Sequence, residues 1–158
     1  MIPNLRMGGF TLLEVLITLG ILSLALLGLA RMQMEGLRHV HGGQLRGSAT
    51  FLAQDILERM RANREQAVSG ADAAFPYRLV PGQNITAPPC MASDCTPAQM
   101  AAFDLSQWQG IVASALPAGT GAVSRSGPSG RKVFTVVIQW DPSRGVDPVQ
   151  TLTVTTEL

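Results

Sequence analysis

The stretch RMGGFTLLEVLITLG, residues 6–20, decides the fold of this chain, because it opens an apolar run that extends to about residue 30. Between Arg6 and Arg31 the only charged residue is Glu14. A helix over this run would be about 30 Å long, which is the thickness of the hydrocarbon core of a bilayer. A carboxylate inside such a helix costs about 2.5–3.5 kcal/mol on insertion scales. The presence of Glu14 therefore requires a physical explanation.

The composition of the chain fits one modest domain in addition to the apolar run. The chain has 158 residues, of which 46% are hydrophobic and 15% charged, and its net charge is +1. Its most basic segment alternates arginines with acidic residues: Asp55, Glu58, Arg59, Arg61, Arg64 and Glu65. Two of these pairs have the (i, i+4) spacing of helical ion pairs, which favours a solvated helix face over a phosphate-binding patch. We therefore predict no nucleic-acid partner for this subunit alone.

Three hypotheses explain the apolar run. A discarded secretory signal peptide would use small residues such as Gly28 and Ala30 for cleavage, but its apolar region is usually only about 7–15 residues long. A plain membrane anchor has the right length, yet it leaves Glu14 unexplained. The third hypothesis comes from a resemblance to a known family.

The segment GFTLLE, residues 9–14, resembles the class III signal of type IV pilins and related pseudopilins, since it follows a short leader with Arg6 and precedes an unbroken apolar run. The resemblance implies that residues 1–9 are a leader and that a prepilin peptidase cuts between Gly9 and Phe10 on the cytoplasmic side. It also implies that the new amine of Phe10 is N-methylated. Residues 10–30 would then stay in the mature protein as a transmembrane and pilus-core helix.

The resemblance also implies a role for Glu14 in subunit assembly. In the family this glutamate is thought to pair with the terminal amine of a neighbouring subunit, which here would be the amine of Phe10. A lone buried charge is costly, whereas a paired charge is tolerated and can fix the register between partners.

The charges around the apolar run oppose the topology that the resemblance implies, with a cytoplasmic N-terminus and a periplasmic C-terminal domain on the bacterial inner membrane. Arg31, Arg38 and Arg46 follow the run, whereas only Arg6 and the initial amine precede it, so a positive-inside count would reverse the protein. We give precedence to the leader motif, because its cleavage site must face the cytoplasm to be used.

After residue 30 the helix is predicted to continue as an amphipathic segment, residues 31–67. Its apolar residues recur at three- and four-residue steps and share one stripe: Leu45, Ala49, Leu52, Ala53, Ile56 and Met60. Four glycines weaken the junction and predict a bend or a frayed turn there: Gly36, Gly42, Gly43 and Gly47.

Residues 68–158 are predicted to form a small periplasmic domain. Five prolines make residues 69–106 loop-like. The segment DLSQWQGIVASAL, residues 104–116, predicts a helix that Asp104 caps and that ends before Pro117. Its predicted apolar face comprises Leu105, Trp108, Ile111, Val112 and Leu116.

A β-meander is predicted after this helix, with a weak strand near Val123 and strong strands in KVFTVVIQW (132–140) and VQTLTVTTEL (149–158). Strict alternation places four residues of the second strand on one face: Phe134, Val136, Ile138 and Trp140. This face should cover the amphipathic half of the long helix. The predicted fold class is therefore α+β and pilin-like, with a long N-terminal helix packed on a small antiparallel meander.

The only cysteines are Cys90 and Cys95, in the predicted loop. A zinc site needs further ligands, and His39 and His41 do not supply them, because two helical residues that are two apart point to different sides. A local disulfide is the expected state if this domain lies in an oxidising periplasm.

The sequence contains no motif of a serine hydrolase, a zinc protease or a phosphate-binding loop, so we expect no catalytic residue and no cofactor. Asp141 and Asp147 flank the last loop and could hold a calcium ion. Aspartate beside proline and glycine is more often explained by turn formation, and no metal is therefore predicted.

Three later segments resemble PilV-type minor pilins: LAQDILERMRAN (52–63), FDLSQWQ (103–109) and LPAGTGAV (116–123). That resemblance implies a low-copy subunit that joins other minor pilins and the major pilin, primes pilus assembly and lies at the fibre tip. Two alternatives remain open, a minor pseudopilin of type II secretion and a membrane-anchored periplasmic binding module. An enzyme is the least expected alternative.

Overall fold

The computed structural model describes Gly9 and residues 11–128, 131–143, 145–146 and 148–158. Phe10, Asp147 and residues 1–8 of the expected leader lie outside the described residues. The elements in chain order are α1 (Leu12–Ala62), α2 (Arg64–Val68), α3 (Pro97–Ala115), β1 (Thr120–Ser126), β2 (Val133–Trp140) and β3 (Gln150–Glu157). The fold is α+β with a long N-terminal helix and a three-stranded antiparallel sheet, as predicted.

The chain divides into two compact units, Met1–His41 and Gly42–Leu158. Helix α1 is nevertheless continuous through the four glycines of the junction, so the predicted frayed turn is wrong. Each glycine costs up to about 1 kcal/mol relative to alanine in a helix. Leucine, methionine, glutamine and arginine, which are good helix formers, occupy several of the neighbouring positions and offset part of that cost.

Helix α1 ends at Ala62, earlier than the predicted end near Ala67, and α2 begins at Arg64. Asn63 separates the two helices with φ −111° and ψ 47°, outside the helical range. Its side-chain amide donates hydrogen bonds to the carbonyl oxygen of Pro97 at 2.8 Å and to the hydroxyl of Tyr77 at 3.2 Å. Contacts with distant parts of the chain therefore hold the interruption in place.

The predicted apolar stripe of α1 is the centre of the core of the second unit. All six of its residues are buried, together with Leu57. Trp108 of α3 is fully buried and donates a hydrogen bond from Nε1 to the carbonyl oxygen of Leu52 at 2.8 Å. This bond fixes α3 against α1 and satisfies the only polar atom of the indole.

Helix α3 begins eight residues earlier than predicted, with its N-cap at Thr96 instead of Asp104 and its first residue at Pro97. Thr96 is its N-cap and forms a capping box with Gln99, and Pro97 occupies the first turn, where its missing N–H is harmless. Asp104 is therefore not a cap but a buried residue within the helix. The helix ends before Pro117 as predicted.

The predicted apolar face of α3 is correct at four of its five positions. Leu105, Trp108, Val112 and Leu116 are buried, whereas Ile111 is 39% exposed. The prediction for Ile111 is wrong because the neighbouring sheet and α1 cover only one side of α3, and Ile111 lies outside that side.

The sheet has the order β1-β2-β3, and both strand pairs are antiparallel. The alternation predicted for β2 is confirmed, since its four inward residues are buried. Leu152 and Val154 of β3 share the inward face but are only partly buried. On the outer edge of β1, Leu79 and Val123 exchange backbone hydrogen bonds of 3.0 and 2.9 Å.

Close packing of β1 against α3 requires a glycine at position 121. A Cβ atom on Gly121 would overlap the six-membered ring of Trp108. Gly110 in the middle of α3 is different, because a Cβ atom there would meet nothing within 4 Å.

We expect Gly121→Ala to lower the free energy of unfolding by about 1–3 kcal/mol, because it overpacks the core at Trp108. The matched variant Gly110→Ala should raise it by up to about 1 kcal/mol through helix propensity alone. Chemical unfolding of the detergent-solubilised chain, followed by tryptophan fluorescence, measures both. Equal effects of the two substitutions would contradict the packing argument.

Candidate functional site

The first turn of α1 contains Glu14 and is capped by Thr11. The backbone N–H of Glu14 lies 3.3 Å from the Thr11 hydroxyl oxygen and 3.1 Å from its carbonyl oxygen. The spacing T-x-x-E is that of a capping box, and a carboxylate in the first turn is favoured by the positive end of the helix dipole. Glu14 therefore suits the start of this helix, and the T-x-x-E spacing is a signal in the sequence that the predictions above did not include.

Every described residue from Thr11 to Gln44 is exposed in the isolated chain. This part of α1 includes an 18-residue window with a mean hydropathy of 2.4, none of which is buried, so it is long and apolar enough to cross a membrane. A core helix of similar composition would be mostly buried. The exposed apolar surface must therefore be covered by lipid or by other helices.

Glu14 has no cationic partner within the described part of the chain. Among the described residues its carboxylate takes part in no side-chain hydrogen bond, and all described ion pairs involve other residues. A charge that is to enter an apolar environment needs an opposite charge there. Phe10, whose amine is the expected partner, lies outside the described residues, as does the leader before Gly9.

Cys90 and Cys95 are joined by a disulfide, with their Cα atoms 5.4 Å apart. Within the closed loop, the N–H groups of Ala92 and Ser93 donate to the carbonyl oxygen of Pro89 at 3.0 and 3.1 Å. Cys95 directly precedes Thr96, the N-cap of α3. The loop is thus tied to the start of α3, with its tip in solvent.

Two family models match adjoining parts of the chain. A model described as the prokaryotic N-terminal methylation motif matches residues 5–30, and one described as type IV pilin Tt1218 matches residues 31–106. The chain belongs to the type IV pilins. No curated protein and no solved structure gives a significant match.

Membership of this family agrees with the fold and with the apolar N-terminal helix, and it identifies the protein as a membrane-anchored pilin. The methylation motif implies a prepilin peptidase and other pilins as partners. It covers Gly9, Phe10 and Glu14, which are the residues that the sequence assigned to processing and assembly.

The globular unit of the pilin contains a polar cluster between α1 and α3 that was not predicted from the sequence. Tyr77 donates a hydrogen bond of 2.6 Å to Asp104, and Arg59 donates to Asp104 at 3.3 Å and to Asp55 at 3.0 Å. Burial, followed by the bond to Asp104, raises the pKa of the Tyr77 hydroxyl well above its ordinary value. The Tyr77 hydroxyl therefore stays protonated around neutral pH and keeps donating to Asp104, so the cluster acts as a structural clamp.

A second polar cluster surrounds Arg125, whose side chain is fully buried on β1. Its guanidinium donates to the carbonyl oxygens of Ala67, Ser69 and Gly70 at 2.7, 3.0 and 2.7 Å. It also donates to the carboxylate of Asp72 at 2.8 Å, and it stacks on a phenylalanine ring with 4.6 Å to the centroid. The pilin therefore uses one buried cation to hold the segment that follows α2.

The pilin shows no cluster of three metal-ligating side chains among the described residues. Asp141 accepts hydrogen bonds from the N–H and the hydroxyl of Ser143 at 3.0 and 3.2 Å, which is the geometry of an Asx turn. Asp147, the other residue considered for calcium, lies outside the described residues.

The carboxylate of Asp72 makes the pilin's stability depend on pH. The hydrogen bond from Lys132, reinforced by that from Arg125, lowers the pKa of this carboxyl below its ordinary value of 3.8. A carboxyl whose pKa is lowered by folding stabilises the folded state at pH values above its ordinary pKa. This stabilisation is lost as the pH falls through the pKa of the folded state.

We expect Asp72→Asn to destabilise the chain at pH 7, and we expect this loss of stability relative to wild type to shrink below about pH 3.8.

Thermal unfolding of wild type and Asp72→Asn between pH 2 and pH 7 measures this difference. Asp94→Asn, at an exposed aspartate in the disulfide loop, is the matched control. A deficit of Asp72→Asn that stays constant over the whole range would contradict the linkage.

Proposed function

We propose that this type IV pilin is a minor pilin of the type IV pilus that joins other minor pilins in a complex priming pilus assembly at the fibre tip. The observation that carries the proposal is Glu14, which has no cationic partner among the described residues and lies at the start of α1, where every described residue up to Gln44 is exposed. Such a helix needs neighbours that supply both apolar surface and a positive charge.

The expected processing supplies that positive charge. Cleavage after Gly9 would free the primary amine of Phe10, and N-methylation would convert it to a secondary amine that stays positively charged, four residues before Glu14. In the inner membrane both charged groups lie near the N-terminus of the same helix. In a fibre the amine of one subunit pairs with Glu14 of its neighbour. Because the pair forms at one stagger between helices, it sets the register of assembly, while small residues such as Gly20 and Gly28 let helices approach closely.

The assignment to the minor pilins rests on the resemblance of three segments to PilV-type sequences. One of them, residues 52–63, contributes four of the buried stripe residues and Arg59 of the polar clamp. A second, residues 116–123, includes Gly121, which the packing on Trp108 requires. The apolar half of α1 also lacks the helix-breaking proline that many major pilins carry there.

The proposed role is structural rather than enzymatic. The apolar helix anchors the subunit in the inner membrane and is extracted from it as the fibre grows. The surface of the globular unit, in the periplasm, determines which subunits bind beside it. In that oxidising compartment the disulfide between Cys90 and Cys95 is expected to form and to stiffen one surface loop.

A minor pseudopilin of type II secretion is the second candidate, because it would use the same processed helix and the same glutamate. Deletion of the gene separates the two. Loss of surface pili with normal exoprotein release supports the proposal, and the opposite result supports the pseudopilin. A membrane-anchored binding module would be absent from sheared fibres.

We expect Glu14→Ala to leave cleavage intact, because the cleaved bond between Gly9 and Phe10 is unchanged, and to reduce the amount of the pilin in sheared pili about tenfold or more. The reason is that the amine of a neighbour would lose its counter-charge, and about 1.4 kcal/mol already corresponds to a factor of ten. Immunoblotting of sheared pili and membranes measures both effects. Glu35→Ala, at an exposed glutamate of the same helix, is the matched control.

Normal piliation and normal abundance of Glu14→Ala in sheared pili would contradict this role of Glu14. A reduced amount of Glu35→Ala equal to that of Glu14→Ala would show a general effect of charge on α1.

We expect mass spectrometry of the mature protein to find a methylated Phe10 as its first residue. This result tests the processing site independently of the fibre, because cleavage precedes assembly. A chain that begins with Met1 or Arg31 would refute the proposed processing.

A further inference from the structure

The outer edge of β3 is open within the described part of the chain. Among the residues that the structure describes, the sheet order ends at β3, β3 pairs only with β2, and no isolated bridge lies beyond it. An edge strand presents backbone N–H and C=O groups at every second residue, and another extended chain matches that spacing. By contrast, Leu79 covers part of the opposite edge of the sheet through its paired hydrogen bonds with Val123.

The sequence of β3 lacks the usual protection of an edge strand. Natural proteins guard exposed edges with lysine, proline, inward-pointing charges or bulges. The strand QTLTVTTE contains none of these residues, and its only charged residue is Glu157 at the end. The pairing of β2 with β3 runs without a bulge from Val133 and Glu157 to Trp140 and Gln150. An unguarded edge of this kind favours pairing with another strand.

Beside this edge, apolar side chains of the globular unit are left partly uncovered. The inward residues of β2 are buried, but Leu152 and Val154 of β3 are only partly buried. Beside Val154 a groove of about 620 Å³ lies between β3 and the second half of α1. Phe51 lines this groove and is 72% exposed, although the other large apolar residues of α1 from Leu45 onward are buried.

The charges around the groove are already compensated within the chain. Its charged lining residues are Asp55, Glu58 and Arg61. Asp55 pairs with Arg59, and Glu58 pairs with Arg61. At the end of the strand, Glu157 pairs with Arg131 at 2.9 Å. The groove therefore offers no free charge and suits an occupant without charged side chains.

We propose that the outer edge of β3 accepts an extended, uncharged segment of a different pilin subunit as a fourth strand. The backbone of that segment pairs with β3, and its apolar side chains, at alternate positions, enter the groove and cover Phe51 and Val154. This is strand addition, in which main-chain hydrogen bonds supply affinity and alternate side chains supply specificity. The choice of another pilin as donor rests on the proposed function, whereas the open edge does not.

Two exposed residues on opposite edges of the sheet provide a matched test. Ser124 on β1 and Thr155 on β3 both pair with Thr135 of β2, so they lie in one row across the sheet. We would place the photo-crosslinking residue benzoylphenylalanine at Thr155 or at Ser124 in the full-length chain, in piliated cells. We expect the probe at Thr155 to crosslink another pilin at least about tenfold more than the probe at Ser124, and the crosslinked peptide to be an uncharged, extended segment.

Lysine substitutions in the two edge strands provide a second test of the proposal. Thr155→Lys should reduce the amount of the chain in sheared pili about tenfold, because a lysine in an edge strand opposes pairing. Ser124→Lys should leave that amount unchanged. Both positions are exposed, so both variants should show the thermal unfolding of wild type. Replacing Phe51 by alanine should reduce the crosslink at Thr155, whereas Ile111→Ala should not.

Three results would overturn the proposal. Equal crosslinking from the two edges would show that β3 is not selective, and a crosslink from Thr155 to a second copy of this chain would identify the wrong occupant. Absence of a crosslink from Thr155, while the chain is present in sheared pili, would refute the open edge as an interface and leave the proposed function intact. Absence of the chain from sheared pili, with Phe10 unprocessed, would instead refute the proposed function.

Discussion

No other described part of the chain packs against the first half of α1, and the rest of this pilin depends on that constraint. Its apolar side chains are exposed over the described residues from Thr11 to Gln44, and one carboxylate lies in the first turn. Lipid satisfies the apolar side chains but not the carboxylate, whereas neighbouring helices with charged N-termini satisfy both. A protein built in this way can be complete only in a membrane or in an assembly.

The second half of the same helix meets the opposite requirement, because it is the centre of a folded core. Its stripe packs against Trp108 and the inward face of β2, and the bond from Trp108 to Leu52 ties α3 to it. Two charged clusters, around Asp104 and Arg125, then fix the chain segments at the end of the helix. The transition between the two halves involves no break in the helix.

Local patterns in the sequence determined most of what could be predicted. The spacing of the apolar residues correctly predicted the buried stripe of α1 and the inward face of β2, and Pro117 correctly predicted the end of α3. These features could be predicted because they depend on residues that are close in sequence. The N-cap at Thr11 and the capping box at Thr96 were equally local and could have been recognised. The polar clusters could not, since Tyr77, Arg59 and Arg125 meet partners 27 to 58 residues away. The proposed roles of Gly9 and Phe10 depend on an enzyme, and therefore no pattern of packing could indicate them.

The bond between Trp108 and Leu52 spans 56 residues, and the bond between Arg125 and Ala67 spans 58. A ribosome makes α1 first, so its apolar stripe has no partner until α3 and β2 have also been made. Contacts of such separation form late and slowly, and apolar surface that waits for them is prone to aggregation. The newly made chain therefore has two apolar segments to protect, of which the membrane shelters only the first. The order of the elements therefore requires that the second segment be protected while the chain is being made.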